Sequence, residues 1–179
     1  MSHDDNAAEV RRLRLCLSEL LVLMALPATW STQDVAEIAV TTLDVLVAAL
    51  RLEFACVRLE PTVELAAFET ARVPLGHWLS GDPAAVCGRA APSFAREGAD
   101  REDSVRDLVG PGEIRVARRQ LGLHGDLGVL VVGSSRPDFP TAIERLLLSV
   151  ACNQAAMGLH DTRRRLEQRR CDVLRAEAA

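Results

Sequence analysis

Hydrophobic positions along the chain fall into blocks of different period. From about residue 8 to residue 26 they recur as on a helix. Leu13, Leu17, Leu20 and Met24 step by four, three and four, the spacing of a heptad seam. Leu15, Val22 and Leu26 add apolar surface on a second side, so this helix needs more than one packing partner. Pro27 is expected to end it, since a proline disfavours helical backbone in the residue before it. Ser31 and Asp34 form a capping box for a second helix over about 32–50, with Val35, Ile38, Ala39, Thr42, Leu46 and Ala49 facing inward. Two strands follow, 53–59 and 62–69, with Glu60 and Pro61 as a short hairpin connection. Phe54, Cys56 and Arg58 share one face of the first strand; Ala55, Val57 and Leu59 share the other.

The period is then lost. Residues 71–112 hold four of the eight prolines (Pro74, Pro83, Pro92 and Pro111), and only 75–80 read as a short helix. A long irregular insert in a compact domain is usually functional or mobile. Order returns with an alternating strand over 113–121, carrying Ile114 and Val116. Residues 122–126 turn the chain, with His124, Gly125 and Asp126 as the tip of a hairpin. The return strand, 127–134, contains the run Val129 to Val132, as a strand covered on both faces requires. Gly133, Pro137 and Pro140 punctuate its exit, and Pro140 suits a first helical turn. Ile143, Leu147, Val150, Gln154 and Gly158 recur at three- and four-residue spacing, with Glu144 near the positive end of the helix dipole. This last helix runs past Arg170; beyond Gly158 its apolar positions thin to Leu159, Thr162, Leu166 and Val173 among arginines. Helix, helix, two strands, excursion, two strands, helix is an α+β layout, an antiparallel sheet with helices against it.

Composition changes this picture by exclusion. At 179 residues the chain has the size of one ordinary domain with terminal extensions. A net charge of −4 provides no basic field for nucleic acid or an anionic membrane. All 21 basic residues are arginine. Without lysine there is no P-loop, no Schiff base and no lysine-dependent kinase ATP site. The cysteines, at 16, 56, 87, 152 and 171, include no C-x-x-C pair, so neither a disulfide framework nor a zinc ribbon is implied. The first ten residues do not read as a signal peptide, and the apolar run 20–28 is far short of a membrane span. A reducing cytoplasm is the simplest location, with no membrane insertion.

The strand G-V-L-V-V-G-S, the corner R-P-D-F-P, the turn E-R-L-L-L-S-V-A and the segment N-Q-A-A together resemble the C-terminal half of a GAF domain. The subgroup is the one that precedes PAS and kinase modules in bacterial sensor histidine kinases. A weaker match extends over roughly 13–170, with Trp30, the helix from Ser31 and the strand 54–59 in the expected order. The resemblance implies a central antiparallel sheet with terminal helices on one face and a loop-walled pocket on the other. It implies a sensory, non-enzymatic domain that binds a small molecule. The seam Leu13, Leu17, Leu20, Met24 and the continuation of the last helix past Gly158 point to a homodimer through the terminal helices, and the resemblance implies an effector kinase or PAS module in cis or in trans. The expected divisions are a flexible start, 1–7; a signalling and dimerisation helix, 8–30; the GAF unit, 31–160; and a helical extension toward an effector, 161–179.

Candidate ligand-binding residues are His77, Trp78, Cys87 and Phe94 in the irregular segment and Arg58 on the first strand. An imidazole donor, an indole wall and a thiol suit a pocket; equally, Trp78 anchors a small local cluster and Cys87 is a small hydrophobe. No cofactor is named by the sequence. Cys87 is followed by Gly88, unlike the Cys-His pair of bilin-attaching GAF domains. The N-K-x-F-D-E signature of cyclic-nucleotide binders cannot occur in its usual form. His77, His124, Cys56 and Cys87 lack metal-ligand spacing. His160-Asp161 echoes a phospho-acceptor box but lacks the proline that follows it, and reads as an exposed helical histidine. The arginine block from Arg163 to Arg170 reads as a solvated face. Two alternatives stand beside the sensor. One is a scaffold whose pocket is filled by Phe68, Trp78, Phe94 and Leu108. The other is a GAF-fold methionine sulfoxide reductase, which would need paired cysteines where the segment offers only Cys87.

Overall fold

The structure is a computed structural model that describes residues 3–30, 33–61, 66–74, 88, 101–106 and 113–177. Its elements are α1 (His3–Thr29), α2 (Val35–Leu50), β1 (Phe54–Leu59), β2 (Phe68–Arg72), β3 (Arg101–Arg106), β4 (Glu113–Leu121), β5 (Gly128–Ser134) and α3 (Ala142–Glu177). The strands form one antiparallel sheet in the order β2-β1-β5-β4-β3. Strand β5 is central and buried along its whole length. It pairs Val132 with Ala55 of β1 on one side and with Ala117 of β4 on the other.

Strand alternation divides the interior in two. On one face Ala55, Val57, Ala117, Leu121, Leu130 and Val132 join Ile38, Leu43 and Leu46 of α2 and Leu147, Leu148 and Ala151 of α3 in the main core. On the other, Phe54, Cys56, Ala71, Ile114, Val116, Val129 and Val131 form a second cluster. Among the described residues the chain is thus an α+β domain, with α1, α2 and α3 on one side of an antiparallel sheet.

Several boundaries differ from the pattern reading, each for a local reason. Helix α1 begins at His3. Pro27 lies inside the last turn instead of ending the helix before it. The turn closes with the Thr29 hydroxyl donating to Leu26 O (2.7 Å) and Trp30 N–H to Pro27 O (3.2 Å). The cap of α2 is Asp34, not Ser31: its carboxylate accepts from Glu37 N–H (2.8 Å) while Glu37 accepts from Asp34 N–H (3.0 Å). The inward face of α2 adds Leu43 and Leu50 and leaves Ala49 half-buried. The second strand starts at Phe68, so the link from β1 is longer than the two residues expected. Within the supposedly irregular 71–112 lies a strand, β3, paired with β4 from Arg101–Arg118 to Arg106–Glu113.

Edge strand β3 is fastened to the helical layer by charge. Glu102 accepts from Arg119 Nη2 (3.2 Å) on β4 and from Arg145 Nε (2.7 Å) and Nη2 (3.0 Å) on α3. The Arg145 and Arg119 guanidinium groups hold the Glu102 carboxyl below its ordinary value of 4.5. A depressed carboxyl contributes stability above its unfolded value, and loses it as pH falls through the folded one. Glu102→Gln is therefore expected to cost about 1 kcal/mol at pH 7, the network being half in water, and nothing once pH drops below the depressed value. Urea midpoints of both proteins at pH 7 and pH 3 check this.

Candidate functional site

The face of the sheet away from the helices is where a pocket is expected. Its floor is set by register. Cys56, Val131 and Arg118 lie in one row across β1, β5 and β4, and Arg58, Val129 and Gln120 in the next. Arg118 is buried on this apolar face. Arg58 is half-buried and its Nε donates to Glu69 across β2 (2.8 Å), so this candidate is held within the sheet by an ion pair. The remaining four candidates, His77, Trp78, Cys87 and Phe94, lie outside the described residues, as does the short helix expected over 75–80. Arg118 was missed by reading the sequence. The signal was present: E-I-R-V-A-R-R-Q-L places an arginine two residues after Val116, on the same buried face. Cys56 opens onto this face and Cys152 belongs to the helical core, so the sheet separates the two thiols.

The corner that carried the family resemblance is a polar clamp. Arg136 donates to Glu144 and to Leu50 O (3.4 Å), with its guanidinium 5.7 Å from the Phe139 ring centroid. Glu144 also accepts from Thr141 N–H (2.8 Å), and Thr141 Oγ1 accepts from Glu144 N–H (3.3 Å), a capping box at the start of α3. Glu53 accepts from the N–H (2.9 Å) and the hydroxyl of Ser135. The end of β5 and the starts of β1 and α3 meet here against the end of α2. These contacts hold elements together.

The terminal helices offer a different surface. Burial and Glu144 raise the Glu19 carboxyl, Gln154 donates to Met24 Sδ (3.3 Å), and the Trp30 ring lies against Gly158. Ascending positions on α1 thus meet ascending positions on α3: the two helices run parallel, side by side. Leu23 and Leu26 of α1 are buried in the core. Leu17 (60% exposed), Leu21 (71%) and Met24 (57%) are not, and neither are Leu146 (52%) and Met157 (59%) on α3. The exposed seam of α1 therefore shifts from the expected one. Leu20 packs inward and Leu21 takes its place. Among the described residues no helix is long and apolar enough to cross a membrane.

No protein-family profile matches the sequence, and no curated protein matches it. Among solved structures 17 chains match. One is the GAF domain of a phosphoenolpyruvate-protein phosphotransferase from Acinetobacter, 11% identical over 91% of this chain and 96% of that one, with a TM-score of 0.48. Another is the free methionine-R-sulfoxide reductase of Neisseria meningitidis in complex with its substrate, 21% identical over 80% of this chain and 89% of that one, with a TM-score of 0.49. At these identities the likeness concerns the course of the chain and carries nothing about activity, ligand or partner.

Proposed function

We propose that the chain is a sensory domain of the GAF type that works as a homodimer and passes its state through α1 and α3. A small molecule on the sheet face bearing Arg58 and Arg118 would bias how these helices pack, through its differential affinity for two states. The output is a histidine kinase or PAS module, in cis or in trans. One observation carries this reading. Helix α3 is uninterrupted for 36 residues, about 54 Å of rise; its first half is core, and from Glu167 it is exposed. Beside it, the step of four and three residues along Leu17, Leu21 and Met24 suits a partner helix. A second copy supplies the same seam by two-fold symmetry and closes a helical bundle.

Sedimentation velocity at micromolar concentration tests it. The wild type is expected as a dimer and Leu21→Arg as a folded monomer, because Leu21 contributes nothing to the core of its own chain. A monomeric wild type overturns the relay. The burial of Phe54, Cys56 and Val131 on the far sheet face favours a second reading, a scaffold whose pocket is closed by its own side chains. Native mass spectrometry of the purified protein separates the two, since only the sensor carries bound mass.

A further inference from the structure

Beyond Asp161, α3 bounds an open cleft of about 610 Å³ with the start of α2, with Leu59 and Glu60 at the end of β1 and with Ala66, Ala67 and Phe68 at the start of β2. This volume is in the range of small-molecule sites. The cleft lies on the helical side of the domain, away from the sheet face discussed above. Val35, Leu59, Phe68 and Leu166 give it apolar walls, and Arg163 and Arg169 bring guanidinium groups to it. Arg163 Nη2 donates to Glu60 O (3.2 Å), but its Nε is shielded from water and has no partner. Gln33 Oε1, also in the lining, is shielded and unpaired too. Among the described residues neither Arg163 nor Arg169 has a carboxylate partner. Of the two acids in the lining, Asp34 is occupied by the cap of α2, and Glu60 is exposed.

We propose that this cleft binds a small amphipathic carboxylate, with its head on Arg163 and Arg169 and its body on Phe68, Leu59, Val35 and Leu166. A carboxylate supplies the two guanidinium groups with an anion in the geometry a guanidinium fork fits best. A neutral apolar ligand leaves both guanidinium groups without an anion. A bare inorganic anion leaves the apolar walls in water. Because the walls come from both the domain body and the exit helix, the bound anion ties residues 163–169 to α2 and β1. It is an input to the helix independent of any ligand on the sheet.

Titration calorimetry of the full chain tests this with octanoate, octan-1-ol and inorganic phosphate. Octanoate is expected to saturate one site per chain, with octan-1-ol and phosphate at least tenfold weaker. Arg169→Gln, on an exposed stretch of helix that cannot unfold the body, is expected to weaken octanoate about tenfold, the size of one charge-assisted contact. Arg163→Gln is expected to do the same. No saturable octanoate binding overturns the proposal; so does wild-type affinity in both arginine variants, which would put the site elsewhere. One site per chain is expected whether the protein sediments as monomer or dimer, so this result and the relay stand or fall separately.

Discussion

Gly158→Val is expected to lower stability by about 3 kcal/mol, the upper part of the range for overpacking a filled interior. A Cβ at this position would lie 2.5 Å from Trp30 Cε3 and 2.9 Å from Cζ3. The obstacle is the body of a rigid ring, and Trp30 is only 2% exposed, so the ring cannot step aside into water. Helix propensity acts the other way. Replacing an interior glycine by alanine gains about 1 kcal/mol, which makes Gly158→Ala the informative companion. Its net cost is expected to be about 1 kcal/mol, because a single methyl group meets the same ring. For a chain of this length the valine variant should melt roughly 6–12 °C lower. Urea midpoints with unchanged slope for all three proteins would establish the ordering, and a fully stable Gly158→Val would mean that α1 is not seated on α3 at Trp30.

The second large effect is expected at the corner. Arg136→Ala removes the cation that faces Glu144, whose side chain is 10% exposed. Breaking a buried pair from one side costs about 3–5 kcal/mol. Arg136 is itself 39% exposed, so water replaces part of what is lost, and about 2 kcal/mol is expected. Glu144→Gln keeps an acceptor for Thr141 N–H and should cost less, about 1 kcal/mol. The double variant should be more stable than the sum of the singles predicts, by about 1 kcal/mol, because the uncompensated carboxylate is then gone. Strict additivity in urea unfolding would show that the corner is held by the backbone alone.

These two sites show which parts of the fold a sequence can disclose. Strand β5 and the first half of α3 were legible because burial on both faces, or along one stripe, writes a period into the residues. Strand β3 was not. Its sequence, R-E-D-S-V-R, has one apolar residue in six, since an edge strand gains by carrying charge on its open side. The seam on α1 was read one residue out at Leu20, because leucines occupy both 20 and 21 and only packing against α3 decides which faces inward. The cap at Asp34 was legible in type but not in position, as Ser31 and Asp34 both fit the pattern. Of the candidate site, Arg58 was placed on the right strand face, but its pairing with Glu69 depends on a register the residues alone do not fix. Arg118 went unnoticed because a charged residue in an alternating strand is read by habit as facing solvent. The cleft at the root of α3 combines residues from positions 33 to 169, and no local pattern brings them together.

Strand β5 has one more consequence. It is hydrogen-bonded on both edges and covered on both faces, so its amide hydrogens can meet water only when the whole sheet opens. Deuterium uptake at Val129 to Val132 therefore reports the global unfolding free energy directly. Uptake along the exposed end of α3 reports local fraying, and the difference between the two measures how far the rod can loosen while the domain beneath it stays closed.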